Sequence, residues 1–146
     1  MKNKAQVQYE GDTEYVPPPQ LCFIAEHIAE KYWRLDEPAP ERFCLDINLV
    51  DDETITEINT RYLGHQRPTD VIAFALMEGE PCPDTDMPLI GQIVISKDAV
   101  IRQAGIYGHS EKAEFTTLAI HGMLHLAGWD EGPEIQKCQE MIKKIL

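Results

Sequence analysis

The spacing of hydrophobic positions changes along the chain between two periods, and this predicts a series of strands interleaved with helices. Strands are expected where short runs are alternating or continuously apolar, at 6–9, 43–50, 71–76 and 89–95. The run 71–76 is apolar on both faces, so we expect it to be a central strand of a sheet. Helices are expected where apolar residues recur at helical spacing: over 21–32, 55–62 and 97–106, from Ser110 to Gly128, and over 134–146.

The order of these elements indicates an α+β protein with a small mixed sheet of about four strands and helices packed on it. Ser96 and Ser110 are expected to cap helix N-termini, and Gly108 and Gly128 to end helices. The stretch 77–88 is rich in Gly, Pro and Asp and is expected to be an excursion between two strands. A chain of 146 residues suits one hydrophobic core, so we expect a single domain over 1–146.

Charge and apolar content narrow the classes of partner. The formal net charge of -12 counts against attraction of the whole molecule to nucleic acid. RNA binding therefore requires a local basic patch, and no DNA partner is expected. No apolar run approaches the roughly 20 residues of a membrane helix, and no apolar run follows the N-terminal lysines. A cytoplasmic protein without a membrane partner is expected. The four cysteines, Cys22, Cys44, Cys82 and Cys138, include no C-x-x-C pair, which favours reduced thiols.

Two histidines in the C-terminal half have the spacing of a metal site. His121 and His125 stand four residues apart in a predicted helix, so both imidazoles leave the same face. Imidazoles placed in this way can bind one metal ion at about 2.0–2.1 Å. Gly128 can end the helix and turn the chain back, which brings Asp130 or Glu131 within reach as a third ligand. Three protein ligands leave one position open, which is typical of a catalytic zinc site.

The alternative interpretation is a pair of hydrogen-bonded histidines on an amphipathic helix, and the glycine turn followed by an acid favours the metal site. Gly122 stands where H-E-x-x-H metalloproteases carry their general base, so a standard zinc-protease mechanism is not expected. His109 directly precedes Ser110, and its simplest interpretation is turn or capping structure.

Several segments match one family in order. The run H-G-M-L-H-L-A-G-W-D at 121–130 resembles that family's signature, and R-P-T-D-V-I-A-F at 67–74 resembles its K-P-T-(N/D)-V-L-S-F block. The strand I-G-Q-I-V-I-S at 90–96 is similar to L-G-D-I-V-I-S, and the segments 102–104 and 107–110 follow the same pattern. On these residues the chain resembles the YbeY family, bacterial metal-dependent endoribonucleases of ribosomal RNA maturation, over about its last two-thirds.

The resemblance implies an α+β fold, catalytic roles for His121 and His125, and one zinc ion bound by three histidines. At the place of the third histidine this chain has Glu131. Glu131 can bind the metal as a carboxylate, or be solvated while Asp130 binds it, or the metal can be lost. Ligation by Glu131 leaves the zinc unit at about +1 instead of +2. In that arrangement we expect Asp130 to support a ligand or cap the turn without touching the metal.

The basic residues near the family's Y-R-G run are the candidates for RNA contact. This run reads Y-L-G at 62–64, so the arginine that the resemblance assigns to RNA or phosphate is Leu63 here. Arg61, His65 and Arg67 flank that place and are predicted to contact RNA, and Arg67 is also predicted to act in catalysis. The other interpretation is that they are solvated loop charges.

The sequence supports three hypotheses. The first is a zinc-dependent endoribonuclease acting on ribosomal RNA precursors, with ribosomal RNA or a ribosomal subunit, and ribosomal proteins, as partners. The second is a metal-free, ribosome-associated binding module whose association survives loss of His121 and His125. The third is a metal-dependent hydrolase of another substrate, which the replaced arginine and the acidic surface keep open.

Overall fold

A computed structural model describes residues 3–76 and 87–146 and contains five helices and four strands within these ranges. Their bounds are β1 (Lys4–Glu10), α1 (Pro18–Lys31), β2 (Arg42–Val50), α2 (Asp52–Leu63), β3 (Val71–Ala75), β4 (Leu89–Ser96), α3 (Lys97–Tyr107), α4 (Glu111–Leu126) and α5 (Pro133–Lys143). The predicted α+β class with a four-stranded mixed sheet is confirmed. Most of the predicted excursion at 77–88 lies outside the described residues.

The four strands form one sheet in the order β1-β2-β4-β3. β1 pairs with β2 and β2 pairs with β4 in parallel, whereas β3 runs antiparallel to β4 from the pair Val71 and Ile95 to the pair Ala75 and Gly91. The pairing therefore leaves β2 and β4 as the two inner strands of the described sheet.

The expectation that 71–76 is a central strand is wrong, because β3 lies at an edge of the described sheet. Its apolar character has another cause. Ile72 packs against Ile55 of α2 in a small cluster on one face of the sheet, while Val71 and Ala73 pack against the main core on the other. Helices cover both faces of this edge strand, so a continuous apolar run indicates coverage rather than position in the sheet.

The main hydrophobic core lies between the sheet and the helices α1, α4 and α5. Ile47 and Ile93 of the inner strands are fully buried there against Leu21 of α1 and Phe115 and Leu124 of α4. Buried apolar area of this kind is the main favourable term in folding. α4 is thus fixed on the sheet along its length, which makes it a rigid support for side chains near its C-terminal end.

Predicted caps fix the ends of the helices next to that support. The Ser96 hydroxyl accepts a hydrogen bond from the Ala99 amide at the start of α3, and Ser110 accepts one from Ala113 at the start of α4. Gly108 ends α3 with a φ of 72°. These three predictions are confirmed, and they set where α4 begins and how it runs toward its histidines.

Gly122 allows α4 to lie directly against β4. A Cβ added at Gly122 meets the Cγ2 atom of Ile93 at 2.8 Å. Ile93 is fully buried, so its side chain has no free space into which to move.

We expect Gly122→Ala to lower the free energy of unfolding by about 1–3 kcal/mol, because overpacking forces shifts in a dense core. Gly105→Ala is the matched control: Gly105 is an exposed helical glycine with nothing within 4 Å of its added Cβ. We expect that change to be neutral or to stabilise by about 0.5–1 kcal/mol. Urea unfolding measures both, and equal effects at the two sites would contradict the packing argument.

The redox state of the cysteines differs from expectation at one described position. Cys44 is disulfide-bonded, whereas Cys22 and Cys138 are free thiols; Cys82 lies outside the described residues. The expectation of reduced thiols is therefore wrong for Cys44. Absence of a C-x-x-C motif says nothing about cysteines that the fold brings together.

Within the described residues, no helix combines the length and the hydropathy that spanning a membrane requires.

Candidate metal centre

The last two turns of α4 bring His121 and His125 together. Their rings lie at a centroid distance of 4.5 Å, and the two Nε2 atoms are 3.0 Å apart. Both side chains are partly buried, with exposed fractions of 15% and 27%. The predicted common face is therefore present, and it opens toward solvent at the C-terminal end of the helix.

The turn after α4 directs Glu131 back to the two imidazoles. Gly128 has a φ of 103°, a conformation that glycine adopts without strain, and the Trp129 amide donates to the Leu124 carbonyl. The Trp129 indole donates to the Tyr32 carbonyl at 2.7 Å, which fastens the turn to the end of α1. This predicted reversal places the Glu131 carboxylate over the histidine pair.

Three ligand atoms form a compact triangle. Oε1 of Glu131 lies 2.8 Å from Nε2 of His121 and 2.7 Å from Nε2 of His125. Zinc bonds of about 2.0–2.1 Å in a tetrahedron require ligand atoms about 3.3 Å apart. The observed triangle is slightly smaller, so small side-chain rotations bring it to the size of one face of a zinc tetrahedron. The donor set of two imidazoles and one carboxylate therefore fits a metal ion.

The outer nitrogens of the imidazoles determine what their inner nitrogens can do. Nδ1 of His125 donates to the Trp129 carbonyl at 2.8 Å, and Nδ1 of His121 is hydrogen-bonded to Oε1 of Gln139. A neutral imidazole that donates from Nδ1 presents a lone pair at Nε2. Two such lone pairs and the Glu131 carboxylate then face one another, and three acceptors at this distance require a cation between them or a shared proton.

The electrostatics of Glu131 agree with this arrangement. Burial raises the pKa of its carboxyl, but hydrogen bonding to His121 and His125, and the positive charge of these imidazoles when they are protonated, lower it by more, so the pKa lies below its ordinary value. A metal ion at the same place has the same sign of effect as a protonated imidazole. Glu131 is therefore an anionic group at neutral pH, as metal ligation requires.

The centre opens on one side into a cleft of about 1040 Å³, which we call the basic cleft. It is lined by His125, Asp130 and Glu131 and by His65 and Arg67 of the loop after α2, and we name it after Arg67. Buried Asn59 holds this loop, since its Nδ2 donates to the Arg67 carbonyl at 2.9 Å. Two of the three predicted RNA-contact residues thus share a cavity with the candidate ligands.

The third one, Arg61, lies elsewhere. It lines a cavity of about 1010 Å³ on the sheet face that carries α2, together with Tyr62 and Phe74. The structure therefore does not bring Arg61 into the basic cleft, and its contact with RNA stays a prediction. Asp130 is exposed and lines the basic cleft, and the supporting role predicted for it also stays a prediction.

Sequence reasoning missed both groups that orient the imidazoles. Gln139 of α5 is 93% buried and stands 18 residues after the histidine that it contacts. The second group is the backbone carbonyl of Trp129, which no side-chain motif can reveal. A buried polar residue on the apolar face of a predicted helix was the available signal for Gln139.

His109 has a partner that the sequence did not suggest. Its Nε2 lies 2.7 Å from Oε1 of Glu114, and the other oxygen of Glu114 accepts from Gln103 at 2.7 Å. Glu114 is 97% buried, so this network ties the end of α3 to the start of α4. The expectation of turn structure is compatible with this tie.

The comparisons with known proteins identify the family and agree with the fold. A family model described as Endoribonuclease YbeY matches residues 7–145. The chain belongs to the YbeY endoribonuclease family. Among curated relatives, an Endoribonuclease YbeY of Agathobacter rectalis is 40% identical over 163 aligned positions that cover 100% of this chain and 93% of that protein. The resemblance found in the sequence is therefore confirmed.

Three further curated relatives and one solved structure show how much of each protein the match covers. The Endoribonuclease YbeY of Symbiobacterium thermophilum is 45% identical over 103 residues, which cover 68% of this chain and 65% of that protein. For two other YbeY relatives the match spans 59% and 58% of the relative's length. The solution structure of TM1509 from Thermotoga maritima superposes with a TM-score of 0.58 at 26% identity, covering 93% of this chain and 85% of that one.

Proposed function

We propose that this protein is a zinc-dependent endoribonuclease that cleaves single-stranded regions of ribosomal RNA precursors. The observation that carries the proposal is the triangle formed by His121, His125 and Glu131, whose three ligand atoms can hold a metal ion and which opens into the basic cleft. Membership in the YbeY endoribonuclease family supports RNA as the substrate class.

Each group in the site has a defined task. His121 and His125 hold the metal through Nε2, while Gln139 and the Trp129 carbonyl fix their orientation and tautomer. Glu131 would supply the third donor atom, and a centre with three protein ligands would keep a position for water or substrate. When bound, zinc polarises a phosphoryl oxygen and activates a water for attack on the phosphodiester.

Arg67 offsets part of the negative charge of Glu131 and Asp130, which line the same cleft. A carboxylate ligand makes the centre less attractive to phosphate than three imidazoles do. Arg67 is an always-charged side chain that lines the same cleft, and it is suited to binding a phosphate through two parallel hydrogen bonds. We infer that Arg67 binds the reacting or neighbouring phosphate and that His65 lines the same path.

A cleavage assay with defined RNA tests the function. Protein freed of metal by chelation should leave a labelled single-stranded RNA from a precursor terminus intact, and one equivalent of zinc should restore cleavage. A fully paired version of the same RNA should be resistant. Failure to cleave any RNA with stoichiometric zinc bound would contradict the proposal and favour a hydrolase of another substrate.

Arginine variants on two different faces test the basic cleft. We expect Arg67→Ala to lower kcat/KM by about 10- to 100-fold, because a hydrogen bond to a charged group contributes about 1.5–3 kcal/mol. Arg61→Ala is the matched comparison, since Arg61 is an exposed arginine of α2 that lines the sheet-face cavity. Its effect should be the smaller one. A larger effect at Arg61 would place the RNA path on the sheet face instead.

A binding function without metal is the second candidate, and the replacement of the third histidine by Glu131 favours it. That function predicts ribosome association that survives His121→Ala and His125→Ala. Sedimentation with ribosomal subunits measures it. Association that is unchanged in both variants, together with no RNA cleavage by the zinc-loaded natural protein, would favour the binding function over the nuclease.

A further inference from the structure

A second, smaller cavity also meets the metal centre and shares the Glu131 wall with the basic cleft. This polar cavity, of about 380 Å³, is lined by Asp70, Gln103, Tyr107, His109, His121 and Glu131, among others. His121 and Glu131 thus belong to the wall of the polar cavity, and His125 and Glu131 to the wall of the basic cleft. A strand held at the metal centre therefore lies next to both cavities.

An arginine distinguishes the two cavities. The basic cleft carries Arg67, which suits a phosphate, beside the carboxylates of Asp130 and Glu131, whereas no arginine among the described residues lines the polar cavity. The polar cavity carries the carboxylates of Asp70, Glu114 and Glu131. Its one lysine, Lys143, is already paired with Glu140 at 2.9 Å. An RNA phosphate is disfavoured in these surroundings, whereas an uncharged base with donor and acceptor edges is not.

The rim of the polar cavity carries an exposed aromatic ring. Tyr107, the last residue of α3, is 65% exposed. Its ring centroid lies 5.9 Å from that of His109 at an angle of 54°. His109 is in turn held by buried Glu114, so one wall of the cavity is rigid. An exposed aromatic ring beside fixed polar groups is the arrangement with which proteins bind unpaired bases.

We propose that the polar cavity is a nucleobase subsite, in which the base next to the reacting phosphate stacks on Tyr107 and is read by polar groups of the wall. The distance along the chain suits this role. Glu114 and His121 are separated by seven residues, or about 10 Å, along α4. A base in the cavity is therefore close enough to belong to a nucleotide flanking the metal centre. This inference rests on the proposed RNA substrate.

Tyr107→Ala tests the subsite without disturbing the core, because the ring is largely exposed. We expect its affinity for a ten-nucleotide single-stranded RNA, measured by fluorescence anisotropy, to fall about 5- to 100-fold. Tyr107→Phe keeps the stacking ring and should stay within about twofold. Tyr62→Ala is the matched control: Tyr62 is 63% exposed but lines the sheet-face cavity, and its loss should have no effect.

Abasic RNAs identify the base that the subsite binds. An abasic nucleotide is placed at each position in turn, and at one position it should weaken binding as much as Tyr107→Ala does. At that position the variant and the abasic RNA together should lose no more than either alone, since both remove the same contact. Additive losses at every position would overturn the subsite.

Binding is measured with zinc-loaded and with chelated protein, and this keeps the two proposals separate. Tyr107-dependent binding without any cleavage would overturn the nuclease and leave the subsite standing. Cleavage with unchanged RNA affinity of Tyr107→Ala would overturn the subsite alone. Undetectable binding of single-stranded RNA by both forms of the protein would overturn the subsite as well.

Discussion

Replacing His125 with alanine is expected to abolish stoichiometric zinc binding and, with it, RNA cleavage. His125 provides one of three ligand atoms that lie 2.7–3.0 Å from one another. Without it only two protein ligands remain, which is one fewer than catalytic zinc sites have. Loss of a residue that only supports a zinc ligand already weakens affinity by about 10- to 100-fold, so loss of a ligand should exceed that. Metal analysis after dialysis against a weak chelator measures the effect.

The melting temperature offers an independent measurement. Zinc at about 100 times its Kd should stabilise the natural protein by about 2.7 kcal/mol, which corresponds to about 5–10 °C for a chain of this size. The His125→Ala protein should not respond to zinc, although its metal-free form should melt at a similar or higher temperature, since one of three opposed acceptors is gone. His27→Ala is the histidine control, because His27 lies on α1 against Phe23 and Tyr32. An unchanged zinc response in His125→Ala would contradict the site.

Sequence alone predicts most of the helices and strands, because local patterns specify them. Ser96 and Ser110 cap helices as expected, and Gly108 ends one as expected. The position of β3 at the edge of the described sheet could not be predicted from local patterns. Its residues reveal that both faces are covered, but which strands are its neighbours depends on pairings distant in sequence.

In the candidate metal centre, too, local patterns predict some contacts and not others. The helix period predicts that His121 and His125 share a face, and the glycine turn predicts that an acid returns to them. Gln139 could not be predicted, because its contact depends on how α5 is rotated against α4. Arg61 and Arg67 line different cavities for a similar reason. Arg61 belongs to α2, whereas Arg67 follows the turn at Gly64 that ends this helix.

The Glu131 carboxylate has opposite effects on binding and on chemistry. As an anion it attracts the metal ion and stabilises a triangle that two neutral imidazoles alone would not complete. The same charge leaves the loaded centre about one unit less positive, which weakens its pull on phosphate and its ability to ionise an attacking water. We therefore expect a centre that binds zinc well and reaches full activity only at a higher pH than a three-histidine centre.

Glu131→His is the variant that separates these two effects. It should still bind one zinc ion, because a third imidazole is as good a ligand. Its activity profile should shift to lower pH by about one unit, since a centre of charge +2 favours the hydroxide form of the attacking water. At neutral pH the rate should then rise by up to about tenfold. The pH dependence of kcat, measured with metal content at each pH, tests this.

Glu131→Gln is the matched control, because it keeps the size of the side chain and removes its charge. The amide is a weak zinc ligand, so this protein should lose metal and activity together. If Glu131→Gln instead keeps one zinc ion and natural activity, Glu131 is not a ligand. If the natural protein binds no metal while Glu131→His binds one equivalent, the replaced histidine has removed the metal site, and the metal-free binding function becomes the better account of this chain.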